Sequence, residues 1–355
     1  MKNIKISKKH KSEFITYGIV LVAFVLAFIW QISGGMPSLM EGLLVPLCVY
    51  VILAVSLNLT VGISGELSLG HAGFMCIGAF AGAFFSKCMV DVITVGWIRL
   101  SIAIVIGAVL AGIFGVLIGV PVLRLKGDYL AIVTLGFGEI IKNIVGLVYV
   151  GKDEAGFHIS TKSIMDLGMS ENGEVIIKGA QGISNTPKDS TFIFGIILVI
   201  ITLIIVLNLI NSRDGRAIMA IRDNRIAAES LGINVTKYKL IAFTISAMLA
   251  GVAGVLYAHN LSSLTATTKN FGYNMSILIL VFVVLGGIGN IRGSIISAVV
   301  LTLLPELLRD LSDYRMLIYS IILIAMMLFN WAPAALQFRE KMAAKFKMKT
   351  SKGGI

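Results

Sequence analysis

Runs of about 20 apolar residues recur along most of this sequence, the length that an α-helix needs to cross the hydrocarbon core of a bilayer. Backbone polar groups find no water inside a bilayer, so a chain that crosses it forms helices or a closed barrel. Hydrophobic residues make up 57% of the chain and charged residues only 14%. We therefore predict an all-α, polytopic integral membrane protein.

Ten such runs can be placed, and this number agrees with the charge at the two ends of the chain. Both ends are rich in lysine, which favours the cytoplasmic side, so an even number of crossings is required. We predict a transmembrane domain over residues 14–335, between basic cytoplasmic tails at 1–13 and 336–355. The predicted spans are 14–32, 40–61, 67–86, 99–120, 129–150, 191–211, 238–260, 275–289, 293–309 and 314–331.

The distribution of the net charge of +11 argues against nucleic acid as a partner. The two tails and the loop at 212–239 carry all of it, and the rest of the chain is close to neutral. Basic segments beside apolar spans mark the cytoplasmic side and contact anionic lipid headgroups. We expect the lipid bilayer, and no nucleic acid, among the partners of this chain.

The cytoplasmic loop at 212–239 has helical features in addition to its charge. Asp214 and Asn224 can cap the starts of two short helices, and Gly232 can end the second. We interpret the loop as a docking surface for another protein, and a loop that only signals topology is the alternative. The apolar residues that recur there at helical spacing are Ile218, Ile221, Ile226, Ala227 and Leu231.

The long loop at 151–190 is predicted on the external side of the membrane. Asn172 and Gly173 precede the stretch EVIIK, which predicts a type I′ hairpin turn followed by a strand. Because most connections are much shorter than this one, we interpret the loop as a cap or a landing surface for an external partner. A tolerated insertion is the alternative.

Two glycine-rich passages interrupt the apolar runs, VGISGELSLGHAGF at 61–74 and LGGIGNIRGS at 285–294. Broken helices in corresponding places often mark a substrate path. Close packing of helices through small residues is the alternative. The residues that would line or hinge such a path are Gly65, Ser68, Gly70, His71, Gly286, Gly287 and Gly289.

The fifth predicted span contains charged residues, which are rare inside membranes and often functional. Glu139, Lys142 and Asn143 lie on one face of a helix, so the two charges can pair. We add Glu139 and Asn143 to the predicted path. Such a pair more often orders helices against one another, and proton coupling is the rarer role.

Patterns typical of catalysis or metal binding are not found in the sequence. The four histidines are scattered, and the three cysteines form neither a metal spacing nor a disulfide framework. No phosphate-binding glycine loop occurs either. We therefore predict a chain that is not an enzyme and binds no cofactor. If ATP drives transport, ATP and magnesium bind to partner subunits.

Four segments of the chain together carry a family resemblance. They are LNLTVGISGELSLGHAGFMCIGAF (57–80), RLKGDYLAIVTLGFGEIIKN (124–143), GRAIMAIRDNRIAAESLGINVTKYKLIAFTISAMLAGVAGVLYA (215–258) and SILILVFVVLGGIGNIRGSIISAVVLTLLPELL (276–308). These segments occur in order and cover well over a third of the chain. They resemble the M-type, LivM-like permease subunits of branched-chain amino-acid ABC importers.

This resemblance implies a multi-pass subunit of a prokaryotic plasma membrane, with partners on both sides. The expected partners are two ATP-binding subunits, a second, H-type permease and an external solute-binding protein. The loop at 212–239 would contact the ATPases through short coupling helices. The residues that match this role are Gly215, Arg216, Arg222, Asp223, Asn224, Arg225, Ala227, Ala228 and Gly232.

The external loop only partly follows the family pattern. The stretch GAQGISNTP at 179–187 is similar to a G-x-x-G-I stretch of the family, but the insertion at 160–178 is longer than that pattern.

Two other functions stay open at the level of the sequence. The permease of a urea or short-amide ABC importer has very similar motifs. A stand-alone, ion-coupled carrier is the second, although buried carboxylates are scarce. The transported solute does not follow from the sequence.

Overall fold

The computed structural model describes residues 8–125, 127–153, 156–170, 173–309 and 314–331. Most of the N-terminal basic tail and all of the predicted C-terminal tail at 336–355 lie outside these ranges. Within them, each predicted span coincides with one long helix. These are α1 (Lys8–Ile32), α2 (Ser38–Asn58), α3 (His71–Cys88), α4 (Gly96–Val122), α5 (Asp128–Leu147), α6 (Phe192–Asn211), α9 (Val235–Ala258), α11 (Tyr273–Gly286), α12 (Ile291–Leu307) and α13 (Arg315–Trp331).

Short helices lie between the long ones, namely α7 (Arg213–Asp223), α8 (Arg225–Ser230) and α10 (Thr268–Phe271). In the described residues, six helical segments are long and apolar enough to cross a membrane. They comprise α2 with the turn that follows it, α4, α5, α6, α9, and α10 joined to α11. The number of ten crossings therefore remains a prediction.

Helices α2 and α9 form the centre of the bundle. The apolar part of α2 and its following turn is 83% buried, and that of α9 is 61% buried, against 33% for α5 and α6. A helix that is apolar on all sides is stable only when other helices or lipid surround it, which explains the central position of α2. Helices α6, α9, α11 and α12 pack around it.

Glycines allow α3, α4 and α9 to approach each other closely. A Cβ atom on Gly78 of α3 would lie 2.2 Å from the carbonyl oxygen of Gly251 of α9. A Cβ atom on Gly254 of α9 would lie 2.0 Å from the carbonyl oxygen of Met75. Helices in membranes commonly pack through small residues, because the hydrophobic effect does not drive helices together inside lipid.

Both glycine-rich passages break a helix. Helix α2 continues into a π-helical turn, Leu59–Ile63, and the chain then runs without regular structure to the start of α3. Helix α11 ends at Gly286, and Asn290 caps the start of α12 by accepting a hydrogen bond from the Gly293 amide at 3.3 Å. We call these interruptions the first break (residues 59–70) and the second break (residues 287–290).

The loop at 151–190, the predicted external loop, contains a small sheet, so the all-α prediction is wrong for this region. Strands β1 (Tyr149–Asp153), β2 (Gly156–Ser160) and β3 (Glu174–Lys178) form an antiparallel sheet in the order β2-β1-β3. The strand predicted at EVIIK is β3 and is confirmed. The hairpin predicted at Asn172 is wrong, because β3 pairs with β1 and follows no strand at that turn. Asn172 itself lies outside the described residues.

Polar contacts hold the external loop against the helices. Strand β4 (Ile183–Ser184) pairs with β5 (Ser263–Leu264), which follows α9. The guanidinium of Arg99 on α4 donates two hydrogen bonds of 2.8 Å to the Asp189 carboxylate, and both side chains are largely buried. Lys87 of α3 donates to the Ser184 carbonyl at 3.0 Å. The loop is therefore anchored to the bundle at several points.

Candidate coupling and translocation site

The loop at 212–239 contains two short helices, as predicted, but one of the predicted caps is wrong. The Ser212 hydroxyl, and not Asp214, caps α7 by accepting a hydrogen bond from the Gly215 amide at 3.0 Å. Asp214 lies within the first turn because α7 begins one residue earlier, at Arg213. A serine immediately before the helix already provides the acceptor that the free amides require.

The other two predicted ends are confirmed. The Asn224 side chain caps α8 by accepting from the Ala227 amide at 3.0 Å. Gly232 follows α8 with a φ of +80°, a conformation that glycine adopts without strain. The Ile233 amide then donates to the Ala228 carbonyl at 3.1 Å, which completes a common C-terminal capping arrangement.

One side of this helix pair faces the bundle. Ile218, Ile221 and Ala228 are buried, and Ala228 and Ile221 pack together with Val235 at the start of α9. Gly215 is also buried, since a Cβ atom there would lie 2.1 Å from the Leu209 carbonyl oxygen. Of the predicted loop residues, Gly215 and Ala228 are therefore packed on the inner side of the loop, whereas Gly232 is exposed and acts through its backbone conformation.

The other side faces away from the bundle. Ile226 and Leu231 on and after α8 are 80% and 79% exposed, which is unusual for two large apolar side chains so close together. Arg225 is half-buried and pairs with Glu229 at 3.0 Å on the same helix. Spacing alone does not predict the exposure of Ile226 and Leu231, because it depends on which side of α8 packs inward.

The two breaks contact each other at one junction. A Cβ atom on Gly62 would lie 2.3 Å from the Gly289 amide nitrogen, so the two backbones touch with no room for a side chain. The buried Asn58 side chain joins them: its Oδ1 accepts from the Gly289 amide, and its Nδ2 donates to the Ser294 hydroxyl, both at 2.8 Å. Asn58, Gly62 and Ser294 were not among the predicted site residues.

The predicted path residues of the first break are close to this junction and are mostly buried. Gly65 has a φ of +75°. Gly70 packs against α5, because a Cβ atom on Gly70 would lie 2.1 Å from the Thr134 carbonyl oxygen. Ser68 is buried, and no described residue is hydrogen-bonded to its hydroxyl. His71 is also buried, with its Nε2 2.8 Å from the Ser56 hydroxyl.

The second break contains the other three predicted glycines. Gly286 packs against the first turn of α12, since its Cβ atom would lie 2.3 Å from the Ser294 amide nitrogen. Gly287 and Gly289 have φ values of +93° and +82°, so they form the turn itself. The immediate role of Gly70 and Gly286 is therefore close packing, whereas Gly65, Gly287 and Gly289 provide backbone conformations that other residues rarely adopt.

Glu139 and Asn143 lie on α5, which packs against Gly70 of the first break through Gly138. Glu139 accepts hydrogen bonds from the buried Lys142 ammonium at 2.5 Å and from the Tyr273 amide at 2.7 Å, at the opposite end of α11 from Gly286. The predicted pairing of Glu139 with Lys142 is confirmed, and it joins α5 to the start of α11. Asn143 is exposed on the outer side of α5.

An apolar cavity of about 440 Å³ lies between α1, α2, α6 and α12 and contains none of the predicted path residues. Its lining includes Val20, Phe24, Leu44, Phe192, Ile295 and Val299. Such a lining provides no polar partner for a charged solute. Among the described residues, no group of three or more His, Cys, Asp or Glu side chains could hold a metal ion.

Comparison with known proteins relates the chain to transport permeases. Residues 39–330 match the family described as branched-chain amino acid transport system / permease component. The high-affinity branched-chain amino acid transport system permease protein LivM of Salmonella typhimurium is 34% identical over 94% of this chain and 77% of its own length.

Two more distant relatives are also permeases. The high-affinity branched-chain amino acid transport system permease protein LivH of Escherichia coli is 24% identical over 71% of this chain and 79% of its own length. The ribose import permease protein RbsC of Haemophilus influenzae is 28% identical over 79% of this chain and 81% of its own length. No solved structure matches the chain.

We predict that the Asn58 amide stabilises the junction of the two breaks. Asn58→Ala leaves the Gly289 amide without its buried acceptor and should lower the free energy of unfolding by about 2 kcal/mol. Ser294→Ala should lower the free energy of unfolding by a smaller amount. The double variant should lower it by less than the sum of the two single changes. Chemical unfolding in detergent micelles measures all three. Additive costs would show that Asn58 and Ser294 act independently.

Proposed function

Because this chain belongs to the permease family of branched-chain amino acid transport systems, we propose that it is a membrane-spanning subunit of an ATP-driven importer of branched-chain amino acids. The observation that carries the proposal is the pair of capped helices α7 and α8, which presents exposed Ile226 and Leu231 beside basic residues. A transport subunit that does not hydrolyse ATP needs such a surface to contact one that does.

The docking surface of the proposal consists of Ile226, Leu231 and the polar residues around them. Two large apolar side chains surrounded by charge form a suitable centre and rim for a protein interface. We place Arg216, Asp223 and Arg225 at its polar edge; the first two are exposed and Arg225 is half-buried. We propose that two ATP-binding subunits dock at such surfaces, one on each permease, and that ATP and magnesium bind to those subunits alone.

We further propose that the path runs between this chain and a second, H-type permease, along α5. Helices α5 and α6 are equally exposed, but the mean hydropathy of α5 is 1.6 and that of α6 is 3.2. The polar side chain of Asn143 is exposed on α5, and a polar group facing lipid is costly. An aqueous path beside Asn143 and Glu139 removes that cost, and the similarity to LivH supports a second permease.

The external loop at 151–190 is our candidate landing surface for a solute-binding protein. Its sheet is anchored to the helices through Arg99 and Lys87, so it can transmit contact with a partner to the bundle. In this orientation the loop at 212–239 and both chain termini lie in the cytoplasm of a prokaryotic cell.

The proposed cycle is alternating access. ATP binding closes the two ATPases and moves α7 and α8, and the permease pair then opens outward to receive an amino acid from the binding protein. Hydrolysis returns the pair to the inward-open state. The first and second breaks are the proposed hinges, and the buried Ser68 hydroxyl is a polar group that a rearranged path can expose.

Docking predicts that Ile226→Asp weakens the binding of the ATPases. A carboxylate at the centre of an apolar contact should lower the affinity roughly 30-fold, which corresponds to about 2 kcal/mol. Co-purification of the ATPases with the tagged permease measures this effect. Met165→Asp is the control, because Met165 is 96% exposed but lies on the external loop. Equal ATPase recovery in both variants would contradict the docking surface.

The proposed path predicts that a cysteine at Asn143 reacts with a membrane-impermeant maleimide. The background replaces Cys48, Cys76 and Cys88 by alanine, and the control is Ile197→Cys, which is exposed on α6. Both positions lie roughly one helical turn from the external end of their helices. We expect labelling at 143 and none at 197, because α6 faces lipid. Equal maleimide labelling at 143 and 197 would show that α5 and α6 face the same environment, which would contradict a path along α5.

The proposed substrate class predicts ATP-dependent uptake of leucine by proteoliposomes that contain the complete complex and binding protein. Excess isoleucine or valine should compete with labelled leucine, whereas urea and ribose should not. Competition by urea would favour the short-amide importer. Leucine uptake by this chain alone, driven by an ion gradient, would instead favour a secondary carrier.

A further inference from the structure

Arg222, in the last turn of α7, is directed towards the bundle and not towards the proposed docking surface. Its Nη1 donates a hydrogen bond of 2.8 Å to the carbonyl oxygen of Gly62 in the first break. Its aliphatic part lies over Gly65, where a Cβ atom would be 2.7 Å from the Arg222 Cγ. Arg225, which the resemblance places in the same coupling loop, instead pairs within α8.

The bond from Arg222 to Gly62 has a clear physical basis. Gly62 lies in the last turn that follows α2, where carbonyl groups have no partner within the helix. A cation at this end is also favoured by the helix dipole. Asp223 orients the guanidinium by accepting hydrogen bonds from Nε at 3.1 Å and Nη2 at 2.9 Å.

The carbonyl that Arg222 contacts belongs to the junction of the two breaks. Gly62 lies directly against Gly289, and Asn58 holds the two together. A second charged contact, between Lys239 at the start of α9 and Glu66 in the first break, reinforces the same region. Helix α7, the end of α2 and the turn before α12 therefore meet at one place.

We propose that Arg222 is a positioning residue that makes α7 move together with both breaks, so that displacement of the docked helices reaches the translocation path. This inference rests on the proposed function. In the proposed cycle Arg222 contributes nothing to ATPase binding. It determines how much of the ATPase movement the permease converts into transport.

The test replaces Arg222 by Met, which keeps the aliphatic part over Gly65 but removes every donor. Leucine uptake per ATP hydrolysed is measured with the complete complex in proteoliposomes. We expect this ratio to fall about tenfold, while the ATPases co-purify in normal amounts. Arg222→Lys should restore most of the ratio, because an ammonium group can still donate to Gly62. Arg213→Met, an exposed arginine of the same helix, is the matched control and should not change it.

Two results would overturn the inference. One is a normal uptake per ATP in Arg222→Met, and the other is loss of the ATPases from that variant, which would make Arg222 a docking residue. If Arg222→Met does not accumulate in the membrane, Asp223→Asn loosens the guanidinium and should lower the ratio about threefold. An unchanged ratio there would likewise overturn it. Absence of ATPases from the wild-type complex would instead refute the proposed function.

Discussion

The contact between Gly62 and Gly289 is the constraint on which the arrangement of this protein depends. Two interrupted helices meet there with no space for a side chain, and the Asn58 amide satisfies the backbone and the hydroxyl around them. The first break connects α2, at the centre of the bundle, to α3, and the second connects α11 to α12. A change at this one contact therefore reaches four helices, of which α3 and α11 pack against α5, the helix along the proposed path.

The loop at 212–239 owes its two roles to the two sides of its helices. Ile218, Ile221 and Ala228 are buried and pack α7 and α8 against the bundle. Ile226 and Leu231 face away and form the proposed ATPase contact. Because Arg222 connects the fixed side to the first break, docking and transmission are carried out by different residues of one short segment.

Local signals in the sequence predicted much of this fold, but they could not predict contacts between residues that are distant in the sequence. Apolar runs predicted the helices, and the cap at Asn224, the end at Gly232 and the Glu139–Lys142 pair followed from spacing alone. The Asp214 cap was wrong because Ser212 is an equally good acceptor two residues earlier. The partner of β3, and the meeting of Asn58 with Gly289 across 231 residues, are set by tertiary packing that no periodicity encodes.

Spin labels in the assembled complex show directly whether the docked helix α7 and the second break move as one body. Labels at Ala220 and Ile288, both exposed, report the distance between α7 and the second break. A third label at Met165 reports the external loop. The account predicts that ATP leaves the distance from 220 to 288 unchanged while the distance from 220 to 165 changes. If ATP changes the distance between labels 220 and 288 as much as the distance between labels 220 and 165, α7 and the second break do not move as one body.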